Sequence, residues 1–284
     1  MKRILVPTDF SKEAENGLQT AMPIARVFDA TIVLLHVLEV SGGDNLNTTG
    51  GAPFSDAMYI HEGLKLAQDN LNRSIILHGL DEGEIKLEKF IRIGTAAKQI
   101  EESIEKLDID FVVMGTKTAV DINELVLGTS TDKLIRKVNC PILSVNHVVS
   151  ADAFKNIIFP TTTRNKEGHL IGIIKAFQEA FESKINMVRI NTPLRFIPDE
   201  AAYKLLEEYA SANGLKNYQC HVYSHTEEED GILAFARTMD ESIIAVSTSA
   251  HTGLRKVLQG SVTKELVGHA KRPVLTMKMD EASR

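Results

Sequence analysis

Cysteine is scarce: Cys140 and Cys220 are the only two among 284 residues, and they lie far apart. Their spacing matches no metal-ligand pattern, so neither a disulfide framework nor a zinc module organises the chain. Both read as small, buried or half-buried residues of a reducing compartment. Positive charge is not in excess either. Lys plus Arg number 32 against 38 Asp plus Glu, a net charge of −6. That argues against a general binder of phosphate backbones, which usually shows a basic face. Phe10, Phe28 and Phe54 do not interleave with basic residues, so base stacking finds no support. No apolar run approaches the roughly 20 residues of a membrane helix. The first residues, MKRILVPTDF, enter a strand where a secretory leader would carry its apolar core. The expected location is the cytoplasm, with no membrane and no nucleic-acid partner.

Several motifs are missing as well. There is no GxxxxGK[ST] and no GxGxxG after a strand, which argues against a P-loop NTPase and an ordinary dinucleotide fold. There is no HExxH, since His61-Glu62 is followed by Gly-Leu-Lys, and no GxSxG elbow. What remains is 43% hydrophobic and 25% charged, an ordinary globular composition in a chain long enough for two domains.

The apolar runs RILVPT (3–8), TIVLLHV (31–37), KLEKFIRI (86–93), FVVMG (111–115) and PILSVN (141–146) read as strands. Helical patterns lie between them near 11–28, 57–78, 95–106 and 129–137. Short, nearly continuous apolar strands alternating with amphipathic helices predict a parallel sheet covered on both faces. The second half repeats the first. IIFPTT (157–162) matches ILVPTD (4–9) and MVRI (187–190) matches LLHV (34–37), both at an offset of 153. LQGSVTKEL (258–266) matches LGTSTDKL (127–134), and KRPVLTM (271–277) matches NCPILSV (139–145), both at 132. The third strands, IRIGT and VYSHT, are set at 132 with Gly94 opposite Thr226. The 21 extra residues of the first half therefore fall between Val37 and Gly94, with the Gly-rich segment 41–56 as the candidate: a flexible connector, or a lid over a ligand. The expected domains are 1–147 and 155–280, joined by a short linker near 147–155. The apolar fifth strands, near 141–146 and 273–278, offer a seam between them.

These stretches together resemble the universal stress protein family in its tandem two-domain form. The resemblance rests on RILVPTDFS, LLHV, DFVVMG, LGTSTDKLIRKVNCPILSV and their second-half partners, and it covers nearly the whole chain. It implies an α/β fold: two repeated domains, each a five-stranded parallel sheet with helices on both faces. The layering is that of adenine-nucleotide alpha hydrolases and flavodoxins, with the two domains packed as a pseudo-symmetric pair. Nucleotide-binding relatives carry Gly, two residues, Gly, nine residues, then Gly-Ser or Gly-Thr. Here the pattern is Gly115, Thr116-Lys117, Thr118, nine residues, Gly128-Thr129, with Thr118 in place of one glycine. The resemblance implies ATP, or ADP or AMP, as ligand. Asp9 would contact the adenosine part, with Pro7 and Thr8 among the cofactor-binding residues, and Val37 would meet the adenine through its backbone. Gly115, Thr116, Lys117 and Thr118, with Gly128, Thr129 and Ser130, would surround the phosphates, which Mg2+ could accompany, and Met114 is a further cofactor-binding residue.

Elementary chemistry supports such a site. Glycine lets a backbone approach an anion closely, and a helix N-terminus after Gly128-Thr129-Ser130 would favour a phosphate. Plainer roles stand beside these: Thr129 or Ser130 as helix caps, Asp9 as a cap of the first helix, Lys117 as a solvated charge. In the second half the pattern has drifted. Thr162 stands for Asp9, Ser247 for Gly115 and Ala250 for Thr118, while Gly260-Ser261 persists. That site reads as degenerate, with His251 and Arg255 leaving room for an anion of another kind. His36 alternates with apolar neighbours and reads as a hydrogen-bonded strand residue. Glu227 to Asp230 read as a solvated run complementing a helix dipole. Two functions stay open. One is a stress-response protein whose nucleotide state regulates a loop or an unidentified protein partner. The other is a nucleotide-free interaction module, and slow ATP hydrolysis is the less favoured third. Whether two chains pair into a homodimer is left open.

Overall fold

The computed structural model describes residues 1–39, 53–117, 134–135, 137–163, 167–248, 270 and 272–278. Thr118, Gly128, Thr129 and Ser130, residues 40–52, and Ala250, His251, Arg255, Gly260 and Ser261 lie outside them. The strands are β1 (Arg3–Thr8), β2 (Thr31–Leu38), β3 (Leu87–Ile93), β4 (Phe111–Gly115), β5 (Ile142–Val145), β6 (Asn156–Pro160), β7 (Lys184–Asn191), β8 (Tyr218–Ser224), β9 (Ile243–Thr248) and β10 (Val274–Lys278). The described α-helices are α1 (Lys12–Phe28), α2 (Pro53–Leu77), α3 (Ala96–Lys106), α4 (Gly168–Phe181), α5 (Asp199–Ala212) and α6 (Glu228–Arg237). The central strands carry apolar residues at successive positions because both faces are covered: Ile4, Leu5, Val6 and Ile32 to Leu35 are fully buried.

The ten strands form one sheet in the order β3-β2-β1-β4-β5-β10-β9-β6-β7-β8. Within each repeat the described pairings are parallel, and the two repeats meet where β5 and β10 pair antiparallel. That is the seam expected from the apolar fifth strands. Ile4 pairs with Ile32 and Ile157 with Ile185, so the offset of 153 holds residue for residue in the first two strands.

The third strands correct the expected alignment. Ile32 faces Leu87 and Ile185 faces Tyr218, an offset of 131. The offset returns to 132 at the fourth strands, where Ile4 faces Phe111 and Ile157 faces Ile243. One extra residue therefore sits in the second repeat's turn between β8 and α6, and Gly94 is answered by His225 rather than Thr226. The additional length of the first repeat is also spread more widely than segment 41–56. Residues between β2 and α2 number 14 against 7 in the second repeat, α2 has 25 residues against 14 in α5, and the return to β3 takes 9 against 5. Helix α2 starts at Pro53, so the end of the Gly-rich segment is helical rather than loop.

Helices α1, α2, α4 and α5 bury their apolar stripes on one face of the sheet. Helices α3 and α6, with Leu134 and Ile135, cover the other. The first core runs through both repeats without a break: Phe177 of α4 lies 5.7 Å from both Phe28 and Phe111, ring centre to ring centre. The linker contributes a 3-10 turn, Ala151–Lys155, whose Phe154 is fully buried against Phe177 and Phe181. Burial pushes the thiols of Cys140 and Cys220 up to about 12, as suits inert packing residues.

Candidate functional site

The chain leaves β1 through a tight polar turn. Thr8 Oγ1 accepts a hydrogen bond from the Phe10 N–H at 3.0 Å, and Asp9 Oδ1 accepts one from the Ser11 N–H at 3.0 Å. Ser11 then caps α1, accepting from the Ala14 N–H at 3.2 Å. Asp9 thus supports the helix entry through one oxygen, while its residue stays exposed. Phe10 takes a left-handed φ of 64°, uncommon for a side chain of its size. Its ring stacks on His36 at 4.5 Å, and His36 Nδ1 donates to the Thr8 carbonyl at 2.8 Å. His36 is the hydrogen-bonded strand residue expected of it. Thr163, the second repeat's counterpart of Phe10, has φ 60°, and its N–H bonds Thr161 Oγ1 at 3.0 Å. The strained turn therefore belongs to the repeat itself.

The turn opens the backbone of β2. Along a parallel strand, successive residues direct their N–H and C=O to opposite neighbours. The Ile32 N–H and the Leu38 carbonyl bond toward β3, whereas the Thr31 N–H bonds toward β1. Val37 is in phase with Thr31 and faces β1. Its carbonyl would take the Phe10 N–H if the ladder continued, but that N–H is turned onto Thr8 Oγ1. The Val37 carbonyl is left for a different donor at the end of the strands.

A cleft of about 570 Å3 lies there, within the range of small-molecule sites. Pro7, Thr8 and Asp9 line it from β1 and its turn, Val37 from β2, and Met114, Gly115 and Lys117 from the end of β4. The structure thus brings these seven anticipated residues around one space. Thr118, Gly128, Thr129 and Ser130 lie outside the described residues. Leu35, Met114 and Ile100 give it an apolar floor. Thr116, within the anticipated Gly115–Thr118 run, also lines it, as do Ser11, Glu13, Ala14, His36, Glu39 and Ala96, which were not anticipated as site residues. Ser11, Glu13, Ala14 and Ala96 come from the starts of α1 and α3, which no strand-end motif marks, and His36 and Glu39 from the end of β2. Glu39 accepts from the Ala96 N–H at 2.9 Å and so ties the β2 end to α3.

Gly115 has a duty that the sequence does not reveal. A β-carbon there would lie 1.9 Å from the Glu13 carbonyl oxygen, and one on Gly17 would lie 2.9 Å from the Gly115 nitrogen. The two glycines let α1 press onto β4. Gly115 is required by helix-strand packing, whatever approaches it from the cleft.

The second repeat is built differently at the same positions. Its α4 begins three residues later than α1 on the repeat's own count, and Glu167, in the place of Ala14, precedes it. Glu167 is 6% exposed. Its Oε1 accepts from Ser247 Oγ at 2.7 Å, and its Oε2 accepts from Thr161 Oγ1 at 3.0 Å and from the Tyr209 hydroxyl at 2.8 Å. Burial pushes the Glu167 carboxyl above the usual glutamate range, and the three hydrogen bonds oppose that. Arg189 stands where His36 stands and donates to the Thr162 carbonyl at 3.3 Å. Glu228 stands where Ala96 stands and pairs with Arg195 at 3.2 Å. Burial raises the Glu228 carboxyl, with Arg195 and Arg189 pulling it down. Glu228 is therefore not part of a solvated run: it is half-buried in the acidic first turn of α6. Aligning the repeats would have exposed all three replacements, since Ala14, His36 and Ala96 become Glu167, Arg189 and Glu228.

Among the described residues no group of acids, histidines and cysteines is arranged to hold a metal, and no helix is long and apolar enough to cross a membrane. Comparison with solved structures finds a universal stress protein from Archaeoglobus fulgidus at a TM-score of 0.76 and 18% identity, covering 97% of this chain and 98% of that one. A protein of unknown function from Pseudomonas aeruginosa follows at 0.65 and 17%, covering 99% and 94%. Among curated proteins, universal stress protein MJ0531 of Methanocaldococcus jannaschii is 28% identical over 144 residues, 51% of this chain and 81% of the relative. Universal stress protein G of Escherichia coli is 27% identical over 146 residues, 51% and 98%. The family model described as "Universal stress protein family" matches residues 1–146 and again 183–278. With the same fold built twice along one chain, the protein belongs to the universal stress protein family as a tandem member.

Proposed function

We propose that the first repeat, residues 1–147, binds ATP or a related adenine nucleotide, and that its occupancy regulates a protein partner in the cytoplasm. The second repeat, 155–280, binds no nucleotide and serves as packing partner. One observation carries the reading: Pro7, Thr8, Asp9, Val37, Met114, Gly115 and Lys117, from three distant segments, meet around one cleft at the carboxyl ends of parallel strands. The Val37 carbonyl suits the exocyclic amine of adenine, the apolar floor suits its ring, and Asp9 suits a ribose hydroxyl. Asp9, Glu13 and Glu39 outnumber Lys117 in the lining, a balance that favours Mg2+ travelling with the phosphates. Thr118, Gly128, Thr129 and Ser130 complete the phosphate end of this proposal.

The test is mass spectrometry of small molecules released on denaturing the purified protein, then calorimetric titration with ATP. About one nucleotide per chain is expected. Lys117→Ala should weaken ATP by roughly tenfold to a hundredfold, the worth of one charge-assisted hydrogen bond. Asp9→Asn, which keeps an oxygen for the Ser11 N–H, should weaken AMP and ATP alike. No released nucleotide and no heat on titration would replace this reading with that of a nucleotide-free interaction module.

A further inference from the structure

The second repeat keeps the turn that shapes the first cleft, and a glutamate carboxyl group stands beside it. Thr8, Ala14 and Gly115 line the open cleft of the first repeat. Their counterparts Thr161, Glu167 and Ser247 are joined to each other by hydrogen bonds of 2.7 and 3.0 Å through the Glu167 carboxyl group. Tyr209, reaching in from α5, supplies a third hydroxyl at 2.8 Å. Four elements thus converge on one carboxyl: the ends of β6 and β9, the entry to α4, and α5. Thr161 accepts from the Thr163 N–H, so its own proton is free to be donated.

We infer that Glu167 is a built-in ligand of the second repeat. Its carboxyl group occupies the position that the first repeat leaves open. Three hydroxyl donors on two oxygens at the entry to a helix form the receptor that a small free oxyanion would use. Ser247 takes part in this as a donor. Its side chain stands where the first turn of α1 excludes any β-carbon in the first repeat. At the other end of the same region Arg189, Arg195 and Glu228 hold one another and nearby carbonyls. Among its described residues the second repeat thus supplies its own polar groups at both places. The inference holds whether or not the first cleft takes a nucleotide, because its test reads neither ATP nor the first repeat.

The test is chemical rescue. Glu167→Ala removes the carboxyl group and leaves three hydroxyl donors around a space the size of acetate. Its thermal midpoint should fall below that of the parent protein. Sodium acetate or formate should then raise it by several degrees more than sodium chloride of equal ionic strength. The parent protein and Glu167→Gln should not distinguish acetate from chloride. An identical response of all three proteins would overturn the inference, since Glu167 would then be an ordinary packing residue. If Glu167→Ala does not fold, Ser247→Ala and Tyr209→Phe each delete one donor and spare the carboxyl. NMR titration of the Glu167 carboxyl carbon should move its midpoint upward in both, by loss of a bond to the charged form. An unchanged titration in both would equally overturn it.

Discussion

Two glycines and one glutamate carry most of what is specific at the level of single residues. Gly17 and Gly115 face each other where α1 crosses β4, with no room for a β-carbon on Gly115. Gly115→Ala should therefore destabilise the protein by an amount at or above the upper end of the ~1–3 kcal/mol typical of overpacking. Urea denaturation would read this directly. A stability equal to the parent's would mean that α1 can slide off β4 at little cost. The sequence marks Gly115 as important, but it suggests a phosphate as the reason; the contact with Glu13 is a tertiary fact that no local pattern encodes. Glu167 gives the complementary case. Burial raises its pKa above the ordinary 4.5, so the folded state holds the proton more tightly than the unfolded chain does. Its contribution must then favour folding increasingly as pH falls from the raised value toward 4.5, and level off below. Relative to Glu167→Gln, the parent protein should gain stability on acidification from neutrality, with a slope of at most about 1.4 kcal/mol per pH unit. Parallel pH profiles for the two proteins would contradict this. Glu228 shifts in the same direction, and the comparison cancels it.

At the level of elements, the strands were legible because each is a continuous apolar run between polar turns, and such runs have few alternatives in a chain of this composition. The expected strands at 3–8, 31–37 and 111–115 lie within one residue of β1, β2 and β4. The turns were less legible. One additional residue between β8 and α6 shifts the third-strand offset to 131, and nothing in VYSHT distinguishes that from 132. The sequence marks the linker near 147–155 only as short, and its 3-10 turn drives Phe154 into the ring cluster of Phe177 and Phe181. Ser183 Oγ donates to the Phe154 carbonyl at 2.6 Å, fixing the linker's backbone as well. Phe154→Ala should cost about 3–5 kcal/mol, the range for deleting a buried aromatic ring. Chemical denaturation monitored by far-ultraviolet dichroism would measure it. A loss below ~1 kcal/mol would show that the linker is a passive tether.

The whole molecule is organised about a local dyad. Leu143 and Leu275 are equivalent positions of the two repeats, and they pair with each other across the β5–β10 seam. Ile142 pairs with Thr276, the counterpart of Ser144, and Ser144 pairs with Val274, the counterpart of Ile142. The sheet passes through this point without a gap, and so does the core beneath it. Phe177 of the second repeat touches Phe28 and Phe111 of the first, and Phe28 also meets Phe181 at 6.2 Å. Separating the repeats would strip these rings of their neighbours and expose the edges of two buried strands, whose unpaired backbone groups are costly. Neither repeat should therefore persist while the other is unfolded, although two-domain chains of this length commonly unfold in steps. Scanning calorimetry should show one transition, with the van't Hoff enthalpy close to the calorimetric one. Phe177→Ala removes the ring shared by both repeats, so it should lower that agreement as well as the midpoint, splitting the transition in two. Two resolved transitions in the parent protein would show instead that the seam and the shared aromatic cluster contribute less than each repeat's own core, and that the two halves fold as independent units.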